Sequence, residues 1–238
     1  MFPFLIKSKN LLLDILFPPF CLNCQRYLER SENYICAECF NLIKFNHTLF
    51  CPICRARLAE NKKICHRQSQ YLLAAAGNYD DPVLQNIIYY FKYQSFENLA
   101  PILGEILIKY LNSLNSQFSI LNFLVVPIPL HRLREKERGF NQAKLLAKII
   151  ADRFDLTLAE KLKRIKNNEP QAKLKDHNIR IKNIANCFKT ESPEFFEGKN
   201  VLLIDDVFTS GATMSEAVKI LKESGAKRII ALVLAKAS

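Results

Sequence analysis

The sequence predicts an α/β fold in which a mostly parallel sheet, flanked by helices, follows a small cysteine-rich module. Two observations carry this prediction. Seven of the eight cysteines lie between residues 21 and 65, and four consecutive apolar residues at 201–204 precede two aspartates. An uninterrupted apolar run is typical of a strand that is buried on both faces of a parallel sheet. We therefore expect two units, residues 1–70 and residues 71–238.

The first twenty residues predict an amphipathic helix. Asp14 interrupts their apolar run, and no small-residue cleavage site follows, which disfavours a signal peptide. No segment of the sequence is long and apolar enough to predict a membrane span. These features predict a cytoplasmic protein whose cysteines are reduced.

The cysteines form three CxxC pairs followed by a single cysteine. This spacing lets two thiolates reach one metal ion, while amides of the turn stabilise the sulfur charges. We expect structural Zn²⁺ rather than disulfides, because a reducing compartment disfavours disulfides. The expected ligands are Cys21, Cys24, Cys36, Cys39, Cys51, Cys54 and Cys65.

The two expected zinc sites differ in completeness. The first two CxxC pairs supply four thiolates, and Cys36 is expected to begin a short helix. The second site is one cysteine short, because Gln68 stands where a fourth CxxC would end. His66 is a candidate ligand, although its position next to Cys65 predicts poor geometry, and His47 is a more remote candidate. The second site is therefore either degenerate or completed by a ligand from elsewhere.

Residues 201–213 predict a strand, a pair of carboxylates and a loop of small residues ahead of a helix. Amides and hydroxyls at a helix N-terminus bind a phosphate dianion. Asp205 and Asp206 could accept hydrogen bonds from ribose hydroxyls or orient a metal-bound water. Thr213 and Glu216 fit a capping box, and Gly225 fits the position after the helix. The expected loop residues are Thr209, Ser210, Gly211, Ala212 and Thr213.

The middle of the chain predicts further elements of the same sheet. Residues 124–126 read as a buried strand, residues 130–138 as a basic loop, and residues 141–153 as a helix. Helices near 82–92 and 96–113 would cover the sheet. The basic loop follows the carboxyl end of a strand, so we expect it to face the same crevice as Asp205.

Positive charge is concentrated in one block of the chain. The net charge is +11, and residues 121–190 contribute sixteen basic against seven acidic residues. Such a block attracts nucleic acid, phosphorylated small molecules or an anionic membrane, or it forms a solvated surface. Aromatic residues in the amino-terminal module could stack bases: Tyr27, Tyr34, Phe40 and Phe45. The expected nucleic-acid contacts are Lys161, Lys163, Arg164 and Lys166.

Residues 201–213 resemble the phosphoribosyl diphosphate (PRPP) binding motif of type I phosphoribosyltransferases. Residues 125–143, the Lys92-Tyr93 pair, residues 170–188 and the CxxC-rich amino terminus resemble the ComF family of phosphoribosyltransferase-like proteins. The resemblance covers nearly the whole chain. It implies a type I phosphoribosyltransferase-like sheet in a cytoplasmic bacterial protein linked to natural competence, which acts on transforming DNA after uptake.

The resemblance also implies roles for individual residues. Asp205 and Asp206 would hold the ribose hydroxyls, the 209–213 loop would bind the 5-phosphate, and Arg132 would contact pyrophosphate. Mg²⁺ is expected to accompany PRPP. The RGFNQ motif of the family would lie beside the phosphate site, and its residues here are Arg138, Gly139, Phe140, Asn141 and Gln142.

Three functions are compatible with the sequence. The first is a catalytic phosphoribosyltransferase with an unknown acceptor, since no purine- or pyrimidine-specific motif is visible. The second is a single-stranded DNA-binding competence protein that has kept the fold and works with a helicase or another DNA-processing partner. The third is a PRPP sensor without turnover. The sequence favours a PRPP-site protein that binds single-stranded DNA during natural transformation, and leaves catalysis open.

Overall fold

The computed structural model describes residues 19–29, 34–59, 65–94, 96–114, 119–168 and 177–237. Nearly all of the helix predicted for the first twenty residues lies outside these ranges. No helix in the described ranges has both the length and the apolar character needed to cross a bilayer.

A five-stranded parallel sheet forms the centre of the protein. Its order is β1-β7-β6-β2-β3, and every neighbouring pair is parallel. Two short strands, β4 and β5, pair antiparallel outside this sheet. The strands are β1 (Leu72–Asn78), β2 (Phe123–Pro127), β3 (Thr157–Leu158), β4 (Leu162–Arg164), β5 (Phe188–Thr190), β6 (Asn200–Phe208) and β7 (Arg228–Lys236).

Seven α-helices are present in the described ranges, and short 3₁₀ turns occur at Glu97–Leu99 and Pro193–Phe196. The two helices predicted to follow the first strand are confirmed; the Asp81 carboxylate caps the first by accepting from the amides of Val83 and Leu84. The helices are α1 (Ala37–Asn41), α2 (Pro82–Tyr93), α3 (Ala100–Ser113), α4 (Arg132–Arg138), α5 (Gln142–Phe154), α6 (His177–Ile184) and α7 (Ala212–Glu223).

The segment predicted as a basic loop at 130–138 is largely helical. Helix α4 begins after His131, whose ring Nδ1 accepts from the amide of Leu133 at 3.4 Å. It ends at Gly139, which has a φ of +83°. The loop prediction was wrong because local capping and a left-handed glycine at the end allow a short helix between the strand and α5.

The predicted capping box at Thr213 is also wrong. Strand β6 runs past both aspartates to Phe208, and α7 begins at Ala212 directly after Gly211. Thr213 therefore lies inside the first turn, and the Glu216 carboxylate instead accepts from the backbone amide of Asn186 at 2.7 Å. Gly225 follows α7 with a φ of +83°, as the sequence predicts.

The sheet separates two apolar layers because successive side chains of a strand point to opposite faces. Leu202 and Ile204 of β6 face α2, α3, α5 and the cysteine module. Val201 and Leu203 face α7 and the β4-β5 hairpin. Chain order reverses between β2 and β6, since β3 lies beyond β2 on one side and β7 lies beyond β6 on the other. At such a switch point the carboxyl ends of the strands diverge and leave a crevice for a ligand.

The cysteine module is joined directly to the sheet. Phe50 and Leu73 of β1 exchange two backbone hydrogen bonds of 2.7 and 3.1 Å. The Asn46 amide donates to the Ala76 carbonyl at 2.8 Å, and the buried Tyr110 hydroxyl of α3 donates to the Thr48 carbonyl at 2.7 Å. The buried apolar residues of the module other than Phe50 belong to the same apolar cluster as those of α2 and α3, whereas Phe50 packs in the layer on the other face of the sheet. Module and sheet therefore share one core.

The shared core predicts a single unfolding transition. Tyr110→Phe removes the donor to the carbonyl of the half-buried Thr48 and should lower the free energy of unfolding by about 1–2 kcal/mol. The midpoint urea concentration should fall in this variant, and by the same amount whether unfolding is followed by far-ultraviolet circular dichroism or by zinc release. Tyr27→Phe, at a ring that is 53% exposed, is the control and should leave both midpoints unchanged. Separate midpoints for the two probes would contradict a shared core.

Candidate functional site

A cleft of about 310 Å³ lies at the switch point, between the carboxyl ends of β2 and β6. Its lining combines two carboxylates, a loop of small residues, and cations from three different elements, α2, α4 and β4. The polar and charged residues that line it are Lys92, Arg134, Arg138, Asn141, Gln142, Arg164, Asp205, Asp206, Thr209, Ser210 and Thr213.

Two aspartates and a lysine form the charged floor of the cleft. Asp205 is partly buried, Asp206 is buried, and the Asp206 amide donates to the Asp205 carboxylate at 2.9 Å. Lys92 Nζ, from the last turn of α2, lies 2.9 Å from Asp206 Oδ1. Burial is the largest single effect and would lower the pKa of Lys92, but the charge and hydrogen bond of Asp206, together with the charge of Asp205, outweigh it and the pKa is raised. The two carboxylates therefore favour the ammonium form of Lys92, whose charge lies directly against the buried Asp206 side chain.

Asp205 carries the perturbed carboxyl of the cleft. Burial and the neighbouring charge of Asp206 raise its pKa to about 7, while Lys92 and Arg164 act in the opposite direction. Two adjacent carboxylates at one end of a strand cannot both be ionised without cost. Asp205 is thus the carboxyl of the cleft whose charge changes near neutral pH.

The loop after β6 has the geometry of an anion cradle. Gly211 has a φ of +79°, and a Cβ on it would lie 2.6 Å from the Phe208 ring, so only glycine fits there. The loop continues directly into α7, whose N-terminus lines the cleft, and the first amides of a helix have no carbonyl partner within it. The structure places all five residues of 209–213 in the cleft wall beside both aspartates.

Three guanidinium groups line the wall that faces this loop. Burial and the charges of Arg164 and Arg138 lower the pKa of Arg134, and burial lowers that of Arg164. Arg164 Nη2 is buried and has no hydrogen-bond partner in the described part of the chain. Arg138 lies 5.9 Å from the Tyr93 ring centre and donates to the Gln142 side chain at 3.2 Å. Three positive charges that line one cleft and act on one another favour a polyanionic ligand.

Some basic residues of the cleft were not predicted from the sequence as part of the site, and others were predicted at a different surface. Arg134 was predicted only as part of the basic loop at 130–138, and Lys92 carried no expected role of its own. Arg164 was expected on a DNA surface but lines the cleft, because the β4-β5 hairpin folds over it. Arg132 is exposed and lines an adjoining cavity instead of the cleft. Nothing local in the sequence distinguishes these basic residues, since their separation depends on the hairpin.

The RGFNQ segment holds the wall of the cleft in place. Asn141 caps α5 and donates to the Ile128 carbonyl at 3.1 Å. Gln142 donates to the Phe91 carbonyl at 3.3 Å, and the rings of Phe140 and Phe91 are 5.4 Å apart. Gly139 ends α4 and is not part of the cleft lining. These contacts fix the end of α2, which carries Lys92, against the crevice.

The first cysteine cluster fits a tetrahedral zinc ion. The sulfurs of Cys21, Cys24, Cys36 and Cys39 all lie within 4.8 Å of one another, and those of Cys24 and Cys36 are 3.7 Å apart. Zn–S bonds of about 2.3 Å place tetrahedral sulfurs about 3.8 Å apart. The amides of Cys36 and Cys39 donate to sulfurs at 3.4 Å, which favours thiolates. Cys36 also begins α1, as predicted.

The second cluster is completed by His66, so the expectation of poor geometry was wrong. Cys51, Cys54, Cys65 and His66 have ligand atoms within 4.8 Å of one another. His66 Nδ1 is 3.3 Å from Cys51 Sγ, while Cys65 Sγ is 3.6 Å from Cys54 Sγ. The two consecutive residues converge because each faces a different cysteine of the CxxC turn. His47 is not part of this cluster.

Comparison with known families identifies the class of protein. The family described as "Phosphoribosyl transferase domain" matches residues 141–238, and the family described as "Double zinc ribbon domain" matches residues 12–69. The sheet, the cleft and the cysteine clusters thus belong to a phosphoribosyltransferase-like protein with an amino-terminal zinc-binding module.

Curated relatives narrow this class to a family. The chain is 30% identical over 206 residues to "Competence protein ComFC" of Bacillus subtilis, which covers 86% of this chain and 78% of that protein. It is 29% identical to "Competence protein F" of Haemophilus influenzae, over 91% of this chain and 96% of that protein. It is 26% identical to "DNA utilization protein YhgH" of Escherichia coli K12, over 89% and 94%. The chain belongs to the ComF family of competence-associated, phosphoribosyltransferase-like proteins.

The raised pKa of Asp205 predicts a pH-dependent gain of stability in Asp205→Asn. A carboxyl whose pKa rises on folding destabilises the fold once it ionises, so its cost begins near pH 4 and is complete above about pH 7. Asn keeps the acceptor for the Asp206 amide. We expect the variant to melt at least about 3 °C higher at pH 8, since 1 kcal/mol corresponds to roughly 2–4 °C in a chain of this size.

The difference in melting temperature should disappear toward pH 4. Scanning calorimetry across this pH range measures it. Asp152→Asn, at an exposed position of α5, is the matched control and should change nothing. A constant difference at every pH would show that the variant acts through something other than the charge of Asp205.

Proposed function

We propose that the protein binds PRPP, as its magnesium complex, in the cleft, and binds single-stranded DNA on the adjoining basic surface during natural transformation. The observation that carries the proposal is the convergence of an aspartate pair, an anion-binding loop and three guanidinium groups in one cleft.

The three chemical groups of PRPP each have a counterpart in the cleft. A 5-phosphate suits the amides and hydroxyls of the 209–213 loop at the start of α7. The adjacent ribose hydroxyls suit the carboxylates of Asp205 and Asp206, which accept hydrogen bonds when ionised. The pyrophosphate suits Arg134, Arg138 and Arg164, because guanidinium groups bind phosphate oxygens in pairs. This assignment gives pyrophosphate to three arginines that lie in the cleft, in place of Arg132.

Magnesium fits the same arrangement. Mg²⁺ prefers oxygen ligands and keeps several of its waters, so it suits a site where substrate phosphates and carboxylates meet. When bound, it would neutralise part of the charge that develops as pyrophosphate leaves. Asp205 and Asp206 would orient its waters, while the arginines hold the departing group.

A second cavity supports the assignment of a DNA-binding surface. It has a volume of about 660 Å³ and shares Leu130, Asn141 and Arg164 with the cleft. Lys163 and Lys189 are register partners across the β4-β5 hairpin and both line this cavity. Arg132 and His131 also line it. Phosphate groups of a single strand could follow this surface without base-specific contacts.

The names of the relatives agree with a role in DNA handling. Two are competence proteins and another is a DNA utilization protein. The continuity of the second cavity with the cleft suggests that a strand and PRPP occupy neighbouring positions. Two arrangements would fit this proximity. In one, the strand carries the group that accepts the phosphoribosyl unit; in the other, the strand binds only when PRPP is present.

Loss of the two carboxylates tests the PRPP assignment. The double variant Asp205→Asn with Asp206→Asn should bind magnesium-PRPP at least about 100-fold more weakly, since each charged hydrogen bond contributes about 1.5–3 kcal/mol. Isothermal calorimetry measures the affinity, and circular dichroism confirms the fold. Asp152→Asn serves as the control. Unchanged affinity in the folded double variant would refute the assignment, and an assay for released pyrophosphate with single-stranded DNA present separates turnover from binding alone.

Salt dependence tests the DNA assignment. Lys161, Lys163 and Lys166 were expected to contact DNA and are exposed, and Lys189 lies beside Lys163. Replacing these four lysines by Gln should lower affinity for a labelled oligonucleotide. It should also flatten the salt dependence by a log–log slope of about 0.7 for each phosphate that a lysine no longer neutralises. Arg164 is left intact because it lines the PRPP cleft.

The control for this experiment carries the same change of charge elsewhere. It replaces four exposed lysines by Gln: Lys148, Lys199, Lys219 and Lys227. Fluorescence anisotropy across a salt series should show a near-normal slope for this control. An equal decrease of affinity in both quadruple variants would indicate that net charge, and not the hairpin surface, governs binding.

A further inference from the structure

Arg55, in the CxxC turn of the second zinc site, contacts the loop of residues 209–213. The 5-phosphate is assigned to this loop, which we term the phosphate loop. Arg55 follows Cys54 directly, and its guanidinium donates to the Thr209 carbonyl at 2.7 Å and to the Ala237 carbonyl at 3.3 Å. Thr209 is the first residue of the loop that lines the cleft, and Ala237 follows β7. One side chain therefore joins the zinc turn to the ends of two adjacent strands, β6 and β7.

The backbone of Arg55 is held in a conformation that glycine adopts more easily. Its φ is +59°, in the left-handed region, which costs a non-glycine residue roughly 1–2 kcal/mol. The turn itself imposes this conformation: the Arg55 amide donates to the Cys51 carbonyl at 2.8 Å, and the Cys51 amide donates to the Ala56 carbonyl at 2.9 Å. The hydrogen bonds of the Arg55 side chain therefore offset the cost of this backbone conformation.

The first zinc turn provides an internal comparison. Gln25 follows Cys24 as Arg55 follows Cys54, and its φ is +61°. Its amide donates to the Cys21 carbonyl at 3.0 Å, so the two turns have the same local geometry. Gln25 is exposed and is not among the residues that line the cleft. The two positions thus differ in the contact that Arg55 makes with the loop.

The contact with Thr209 bears on the shape of the whole loop. The Ala237 amide donates to the Phe208 carbonyl at 2.8 Å, directly before Thr209. The Phe208 ring in turn lies where a Cβ on Gly211 would be, so it supports the left-handed turn of the loop. A shift of Thr209 would therefore move the amides that are assigned to the 5-phosphate.

We propose that Arg55 is a positioning residue that couples the second zinc site to the phosphate loop. The ligands Cys51 and Cys54 fix the turn, the turn fixes Arg55, and Arg55 fixes the carbonyl of Thr209. Loss of metal from this site would then weaken anion binding in the cleft without any ligand contact by the zinc module. The inference rests on the proposed function, since PRPP is the anion concerned.

The test compares Arg55→Gly with Gln25→Gly in the full-length, zinc-loaded protein. Glycine relieves the left-handed strain in both turns, so both variants should fold and keep their zinc, which metal analysis checks. Arg55→Gly should bind magnesium-PRPP roughly tenfold more weakly, the effect of one charged hydrogen bond, while Gln25→Gly binds normally. Arg55→Lys keeps the charge but not the paired donors, and should fall between Arg55→Gly and the parent.

Hydrogen exchange of the Ser215 and Ala237 amides, which donate to the Gly211 carbonyl in the phosphate loop and to the Phe208 carbonyl directly before it, separates this inference from the proposed function when it is measured without PRPP. Protection should fall in Arg55→Gly and not in Gln25→Gly. If the parent protein does not bind PRPP, the proposed function fails while the exchange result still decides the coupling. Equal protection of these two amides in parent and Arg55→Gly, or an equal decrease in both glycine variants, would overturn the proposal.

Discussion

Two carboxylates lie side by side at the end of a buried strand, and the surrounding residues compensate their charge. Asp206 is stabilised by Lys92 at 2.9 Å, which requires the last turn of α2 to lie over the end of β6. That turn is held by Gln142 and Phe140, and therefore by the start of α5. The RGFNQ segment thus contributes mainly by positioning a lysine that is far away along the chain. The proposed ligand, with both hydroxyls and phosphates, would complement the carboxylates and cations that this arrangement leaves facing the cleft.

The zinc module is part of the same arrangement and not an appended domain. Its backbone pairs with β1 at Phe50, and most of its buried apolar residues share a cluster with α2 and α3. Folding of so short a cysteine-rich segment depends on the metal, because the segment buries little apolar surface. Packing the module against the sheet gives the metal sites a rigid support, and it brings the second of them within reach of the phosphate loop through Arg55.

The basic residues of 121–190 line two adjoining cavities, the cleft and the cavity beside it. Arg134, Arg138 and Arg164 turn inward and line the cleft, where burial lowers the pKa of Arg134 and Arg164. Lys163 and Lys189 stay outside on the hairpin. The sequence shows that positive charge is concentrated in this block, but it does not show which basic residues line the cleft and which line the surface beside it. A bound polyanion would offset the cost of burying a guanidinium group, so the arginines suit a ligand inside the cleft. Exposed lysines instead suit the solvated phosphate backbone of a nucleic acid.

The sequence by itself determined the parallel sheet, the main helices, the family and the first zinc site, because these depend on local patterns: an apolar run, helical spacing and CxxC turns. Tertiary structure alone decided which distant side chains meet. His66 completes the second metal cluster only because the turn at Cys51 faces it, and Lys92 reaches Asp206 only because α2 packs across the switch point. Arg164 enters the cleft because the hairpin folds over it. Contacts between residues far apart in the chain depend on packing and charge compensation in three dimensions, which no local spacing records.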